Sequence, residues 1–218
     1  MDFSEARKNM VWGQLEPNKV TGRALLSRFE NVDREFFVDM ENSSTPYADK
    51  PVSIGYGRSM FSPLACARML QSLDLQESDN LLIVAAGTGY SSVVAAPLVK
   101  QVVAVEEDAN LKDVMKRAVS RHNYGNVHIV SNPPEEGYVG GGSYDKIMID
   151  APLETVPAAI IKQLREGGLL AAAQKNSNTG VTEVIAYTKM GKTLFEQKLL
   201  ETSGEVLPNF SQGEQFVF

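Results

Sequence analysis

The stretch Leu81-Leu82-Ile83-Val84-Ala85-Ala86-Gly87-Thr88-Gly89-Tyr90 decides how this chain is read. Its opening run is wholly apolar, as a strand covered on both faces requires; a strand wetted on one face would alternate. The glycines at 87 and 89 then mark a tight turn, where backbone passes close to a neighbour or a ligand. Ser92 to Leu98 reads as the helix that follows. Strand, glycine turn and helix open a βαβ unit, and in open α/β sheets ligands lie beyond the carboxyl ends of the strands.

Downstream the same texture repeats. Val102 to Val105 is a strand ending at Glu106-Glu107-Asp108, and a helix runs from about Ala109 to His122. Strands follow at 127–130 and 144–149, then a helix at 156–164 ended by Gly167-Gly168, then a strand at 169–173. Such alternation means parallel strands joined by right-handed crossovers. Residues 181–187 and 194–200 read instead as an antiparallel pair across Met190-Gly191-Lys192. The expected fold is α/β, a doubly wound, Rossmann-like sheet of seven mostly parallel strands with an N-terminal helical segment and antiparallel C-terminal strands.

Upstream, residues 2–39 read as helical, with Asp2 or Ser4 capping the first helix and Pro17-Asn18 ending it. Thr21 is the expected cap of a second helix whose Leu25, Leu26 and Phe29 share a face. Residues 41–51 read as loop and 52–57 as a short strand ending in a turn. Ser62-Pro63 is a helix start, with serine at the cap and proline at the first helical position. The expected division is a leader over 1–78 and a sheet core over 79–218, together one compact domain.

Composition narrows the class. With 218 residues, 43% hydrophobic and 22% charged, the chain excludes a disordered or collagen-like protein. A net charge of −6 speaks against a grip on nucleic acid through bulk charge. Cys66, His122 and His128 are too few for a zinc site, so no metal is expected. Cys66 reads as a small core residue. No apolar stretch approaches the ~20 residues of a membrane helix, and a cytoplasmic protein is expected. The aromatic tail, Phe210 and Phe216-Val217-Phe218, is expected to dock on the domain or join a partner subunit.

Glu106 lies 17 positions after Gly89, at the end of the next strand. A carboxylate there can accept both hydroxyls of a ribose. The plainer alternative is a tight turn beside a solvated strand end. A dinucleotide fingerprint would place its third glycine at Ser92, opening a helix that receives a pyrophosphate. Its absence favours S-adenosylmethionine, which has no pyrophosphate, over NAD.

Several segments in order resemble the protein-L-isoaspartate O-methyltransferases, a family of S-adenosylmethionine-dependent enzymes. They are Met10-Val11-Trp12-Gly13-Gln14-Leu15 with Val20-Thr21, Val32-Asp33-Arg34-Glu35-Phe36-Phe37-Val38, Tyr47-Ala48-Asp49-Lys50-Pro51, and Ile54-Gly55-Tyr56-Gly57. Gly87-Thr88-Gly89-Tyr90 and Gln163-Leu164-Arg165-Glu166-Gly167-Gly168 complete the set, so that the likeness spans about residues 10–173. The resemblance implies methylation of L-isoaspartyl carboxylates in damaged proteins, with a protein or peptide carboxylate as partner. It implies cofactor contacts from Ala85, Ala86, Gly87, Thr88, Gly89, Tyr90, Glu106 and Asn132. The family's T-I-S-x-P loop corresponds to Ser59-Met60-Phe61-Ser62-Pro63, with Phe61 at the active-site serine position. Ile83 and Ala85 replace an acid and a glycine of the cofactor strand, and Asn132-Pro133-Pro134 replaces a GDG turn.

Methyl transfer to a carboxylate asks for positioning more than for acid or base, because the nucleophile is already ionised. Ser59 and Ser62 are therefore the candidate catalytic hydroxyls, with Ser59, Phe61 and Asp150 facing substrate. Ser62 has an equal alternative as a helix cap, and Asp150 as a cap of the next turn. The departures in the loop and cofactor strand leave a second reading, a binding or regulatory module on the same fold, or an enzyme of another substrate.

Overall fold

The structure is a computed structural model and describes residues 3–39 and 45–211. The tail residues Phe216-Val217-Phe218 and part of the expected 41–51 loop lie outside the described residues.

Helix α1 (Ser4–Met10) continues through wider and tighter turns to Asn18 and ends at Lys19, whose φ of 67° is left-handed. In α2 (Arg23–Asn31), Leu25, Leu26 and Phe29 are buried, as the spacing predicts. Gly22 precedes α2 and no side chain caps it, so Thr21 is not the cap. The Thr21 amide instead donates to Gln71 Oε1 at 2.7 Å, which removes it from the helix start. Where one short strand was expected there is a hairpin, β1 (Val52–Gly55) with β2 (Arg58–Met60), pairing Ser53 opposite Ser59. Its tip, Gly55-Tyr56-Gly57, has positive φ at all three residues. Helix α3 (Pro63–Ser72) starts as the sequence predicts, with the Ser62 side chain accepting from the Ala65 amide at 3.2 Å.

Then come β3 (Asn80–Val84), α4 (Tyr90–Ala95), β4 (Gln101–Val105), α5 (Ala109–Arg121), β5 (Val127–Val130), β6 (Tyr144–Leu153), α6 (Ala158–Gln163), β7 (Leu164–Lys175), β8 (Thr182–Met190) and β9 (Thr193–Thr202). Seven of these strands form one sheet in the order β5-β4-β3-β6-β7-β8-β9. The pairs from β5 to β7 are parallel, whereas β8 and β9 join antiparallel. Gly167-Gly168 does not end the helix. Leu164 is already extended, and the β6–β7 register jumps from Tyr144↔Leu164 to Lys146↔Leu169. The glycines, Gly167 at φ +70°, absorb that jump.

Both faces of the sheet are covered, which is why β3 is apolar throughout. Leu81 and Ile83 join Met10, Leu15, Phe29 and Leu70 of the leader. Leu82 and Val84 join Ile147, Ile149, Ile160 and Phe210 on the other face. Phe210 is 3% exposed, so the described part of the tail docks on the sheet. The chain winds from β3 outward to β5, then returns to β6 on the other side. That reversal places the crevice of an open α/β sheet beyond the carboxyl ends of β3 and its neighbours.

Candidate cofactor and substrate site

At the end of β3 the chain turns sharply. Ala85, Gly87 and Gly89 have φ of +56°, +57° and +89°. Ala85 is a non-glycine in the left-handed region, a conformation that costs roughly 1–2 kcal/mol for a residue with a Cβ. The Ala86 amide donates to Val105 O and the Gly89 amide to Ala86 O, both at 2.9 Å. A Cβ on Gly89 would sit 2.3 Å from Met115 Cγ, so only glycine lets α5 pack this closely.

Glu106 stands opposite this turn, with its carboxylate directed inward and 1% exposed. Its Oε2 accepts from the Gly87 amide at 2.7 Å and its Oε1 from the Asp108 amide at 3.1 Å. The structure thus joins the glycine turn to the carboxylate that spacing singled out. It adds a partner that sequence reasoning missed. Arg58, on β2, places Nη1 at 3.3 and 3.4 Å from the two Glu106 oxygens, and its Nη2 donates to Ala85 O at 3.0 Å. The available signal was a cation next to Ser59 on a strand, but the hairpin that aims it was not foreseen.

The donor set suits a nucleoside in kind: a carboxylate for ribose hydroxyls beside a glycine turn that leaves backbone uncovered. The space is held by the chain itself. Arg58 occupies the carboxylate, and Ile54 Cδ1 lies 2.9 Å from where a Gly87 Cβ would be. In kind the residues fit an adenosyl cofactor, with Arg58 and Ile54 standing in front of the turn.

The other predicted cofactor residues divide. Ala86 and Gly87 line the turn, as Ala85 does. Thr88 and Tyr90 face the leader: Thr88 Oγ1 donates to Phe37 O at 2.8 Å. The Tyr90 ring packs edge-on to Phe29 and Phe37, with the Arg34 guanidinium 4.9 Å above it. Asn132, two residues past β5, donates to Gly137 O at 2.6 Å and borders a cavity of about 590 Å³ with Tyr138 and Gln163.

The substrate candidates are also split. Ser59 is exposed on β2 and lines a second cavity, about 280 Å³, with Arg58, Phe61, Pro152, Gly204 and Leu207. Ser62 is 7% exposed and holds the α3 cap, so the two serines do not converge on one point. Phe61 is 3% exposed and its carbonyl accepts from Arg34 Nη2 at 2.5 Å.

Asp150, near the end of β6, is 8% exposed, and its Oδ1 has no hydrogen-bond partner among the described residues. Burial pushes its carboxyl up to about 6, opposed by a hydrogen bond from Ser91 and by the Arg58 and Arg34 cations. The Ser91 hydroxyl also meets Cys66 Sγ at 3.3 Å. Burial, with Asp150 next in size, pushes that thiol up to about 12, which leaves it a protonated core residue. Asp150 therefore belongs to a buried polar cluster and not to a turn cap. Among the described residues no group of three acidic, histidine or cysteine side chains could hold a metal ion. Nor is any described helix long and apolar enough to cross a membrane.

The family model for protein-L-isoaspartate(D-aspartate) O-methyltransferase matches residues 5–203. A protein-L-isoaspartate O-methyltransferase of Methanococcus maripaludis is 31% identical, over 83% of this chain and 85% of its own length. One of Marinobacter nauticus is 29% identical, over 90% and 89%. Among solved structures, a protein-L-isoaspartate O-methyltransferase superposes with a TM-score of 0.80 at 22% identity, covering 94% of this chain and 67% of that one. A Plasmodium falciparum structure of that description, in complex with S-adenosyl-L-homocysteine, reaches 0.73 at 19% identity, over 93% and 98%. These structures share the fold described above, and the match of sequence over nearly the whole chain goes further. The chain belongs to the protein-L-isoaspartate O-methyltransferase family.

Proposed function

We propose that the chain is an S-adenosylmethionine-dependent O-methyltransferase acting on the isoaspartyl carboxylate of a protein or peptide. One observation carries the reading: at the switch point of the sheet, the Glu106 carboxylate lies 2.7 Å from the Gly87 amide, beside a cavity lined by Ser59. Glu106 would accept the ribose hydroxyls, and Ala85, Ala86, Gly87, Thr88 and Gly89 would shape the wall behind them. Asn132 would border the adenine end. When bound there, the cofactor supplies the electrophilic methyl group.

The chain's own contribution is positioning. The Ser59 hydroxyl is free to donate to a carboxylate in the 280 Å³ cavity, and Phe61 closes that cavity against water. Ser62 shapes the loop through its cap and does not reach substrate. Residues 1–78 would carry the substrate loop and residues 79–218 the cofactor sheet. A lone, buried Cys66 suits the reducing cytoplasm as the place of action.

Calorimetric titration with S-adenosylhomocysteine and with NAD tests the cofactor, and methylation of an isoaspartyl peptide beside its aspartyl control tests the substrate. Heat with S-adenosylhomocysteine alone and methylation of the isoaspartyl peptide alone are the expected results. A second reading, a binding module on this fold, is favoured by the closure of Glu106 under Arg58. Absence of heat with either ligand would overturn the cofactor reading and favour the second.

A further inference from the structure

Arg58 lies between two sites. One face of its side chain meets Glu106 and Ala85 O; the other borders the 280 Å³ cavity. Among the described residues that line this cavity it is the sole cation, with Glu205 as the sole acid. The cavity also holds the exposed Ser59 hydroxyl. To an anionic group it offers the Arg58 cation and the Ser59 hydroxyl.

We propose that Arg58 is an exchangeable counter-ion, paired with Glu106 in the closed state and with the substrate's carboxylate when an adenosyl ligand takes Glu106. This rests on the methyltransferase reading above.

The electrostatics demand that the two changes go together. Glu106 is 1% exposed, and a carboxylate so buried cannot lose its cation unless other donors replace it. Ribose hydroxyls are such donors. Arg58 is itself 13% exposed, and leaving Glu106 is costly unless another anion receives it. A carboxylate in the cavity is that anion. Either ligand alone must strand one half of the pair, whereas both together strand neither. Cofactor and acidic substrate therefore bind with positive coupling, and by linkage each strengthens the other equally.

The hairpin tip is shaped for such movement. Gly55, Tyr56 and Gly57 all have positive φ immediately before Arg58, and Tyr56 is 62% exposed. Tyr56, a non-glycine at φ +54°, is the strained residue of the three, and such residues collect at segments that switch. The chain carries a net charge of −6 and Asp150 is buried within reach of Arg58's charge, so an incoming carboxylate meets repulsion that the Arg58 cation offsets.

The test is calorimetric and needs no turnover. S-adenosylhomocysteine is titrated into wild type and Arg58→Gln, each alone, with saturating isoaspartyl peptide, and with the same peptide carrying that carboxyl as its amide. In wild type the carboxylate peptide should tighten S-adenosylhomocysteine binding about tenfold, and the amide peptide should not. In Arg58→Gln, S-adenosylhomocysteine alone should bind at least as tightly as it does to peptide-loaded wild type, and the peptide should add nothing. Arg58→Lys, which keeps the charge but cannot bridge Glu106 and Ala85 O together, should show weakened coupling and serves if Arg58→Gln does not fold. Equal affinities in all variants, unmoved by peptide, overturn the exchange and leave the methyltransferase reading standing. Absence of heat from every protein removes both.

Discussion

The guanidinium of Arg34 donates to the carbonyl of Phe61 at 2.5 Å, joining the leader to the loop between the hairpin and α3. Its Nε donates to Pro46 O at 2.7 Å, and the side chain is 0% exposed. Removing it strands two buried carbonyls and the face of Tyr90. Arg34→Met should therefore cost about 3–5 kcal/mol, since hydrogen bonds to a charged group contribute about 1.5–3 kcal/mol each. Arg34→Lys should recover less than half, because an ammonium cannot reach both carbonyls with a planar fork. Urea denaturation of the three proteins checks this; a loss under about 1 kcal/mol in Arg34→Met would show that the clamp is not needed.

The resemblance of the loop sets Phe61 against the family's serine, which makes Phe61→Ser the natural restoration. Burial changes what it should do. Phe61 is 3% exposed within the leader-side core, so serine leaves a void and an added hydroxyl there. The expected loss is about 3–4 kcal/mol, the usual cost of truncating a buried aromatic residue. Thermal melts beside methylation assays separate the outcomes: a gain of activity without loss of stability would mean that the loop repacks around serine.

Asp150 carries a pH dependence. Its folded carboxyl titrates at about 6, raised from 3.8 by burial, with Ser91, Arg58 and Arg34 opposing and Glu106 reinforcing. A raised acid favours folding fully below pH 3.8, and that contribution is lost as pH rises through about 6. Asp150→Asn removes the charge that is costly at high pH. It should be more stable than wild type by about 3 kcal/mol at pH 8 and indistinguishable near pH 3.5, because a tenfold change in a proton-binding constant is worth roughly 1.4 kcal/mol. Urea midpoints at the two pH values decide it, and an equal gain at both would mean the carboxyl titrates in its ordinary range.

The two serines should separate by what they affect. Ser62→Ala removes the hydrogen bond to the Ala65 amide and should lower stability by about 1 kcal/mol. Ser59→Ala, at an exposed position, should change stability by less than about 0.5 kcal/mol. It should instead raise KM for an isoaspartyl peptide several-fold. Denaturation and steady-state kinetics on both variants test this, and the opposite pattern would exchange their roles.

Local patterns determined a good deal. The unbroken apolar run of residues 81–85 marked a strand covered on both faces, and the glycines at 87 and 89 marked its turn. Ser62-Pro63 marked the start of α3, and the distance from Gly89 to Glu106 brought carboxylate and turn together. Each depends on contacts within one element or across one βα unit, where chain connectivity leaves little choice of partner. The misplacement of Thr21 and of Gly167-Gly168 has the complementary cause. Gln71, 50 residues from Thr21, and the register of β7 against β6 decided those positions.

The site itself was settled in three dimensions. Arg58 meets Glu106 across 48 residues because a hairpin, invisible in the composition of either strand, folds over the turn. Asp150 meets Ser91 because the order β4-β3-β6 brings the end of β6 beside that of β3, after which α4 begins. Sequence determined the alternation of strands and helices from β3 onward and the turn after β3, since periodicity and turn chemistry act over a few residues. Tertiary structure alone decided which buried charge faces which, because long polar side chains choose partners by where crossing segments place their ends.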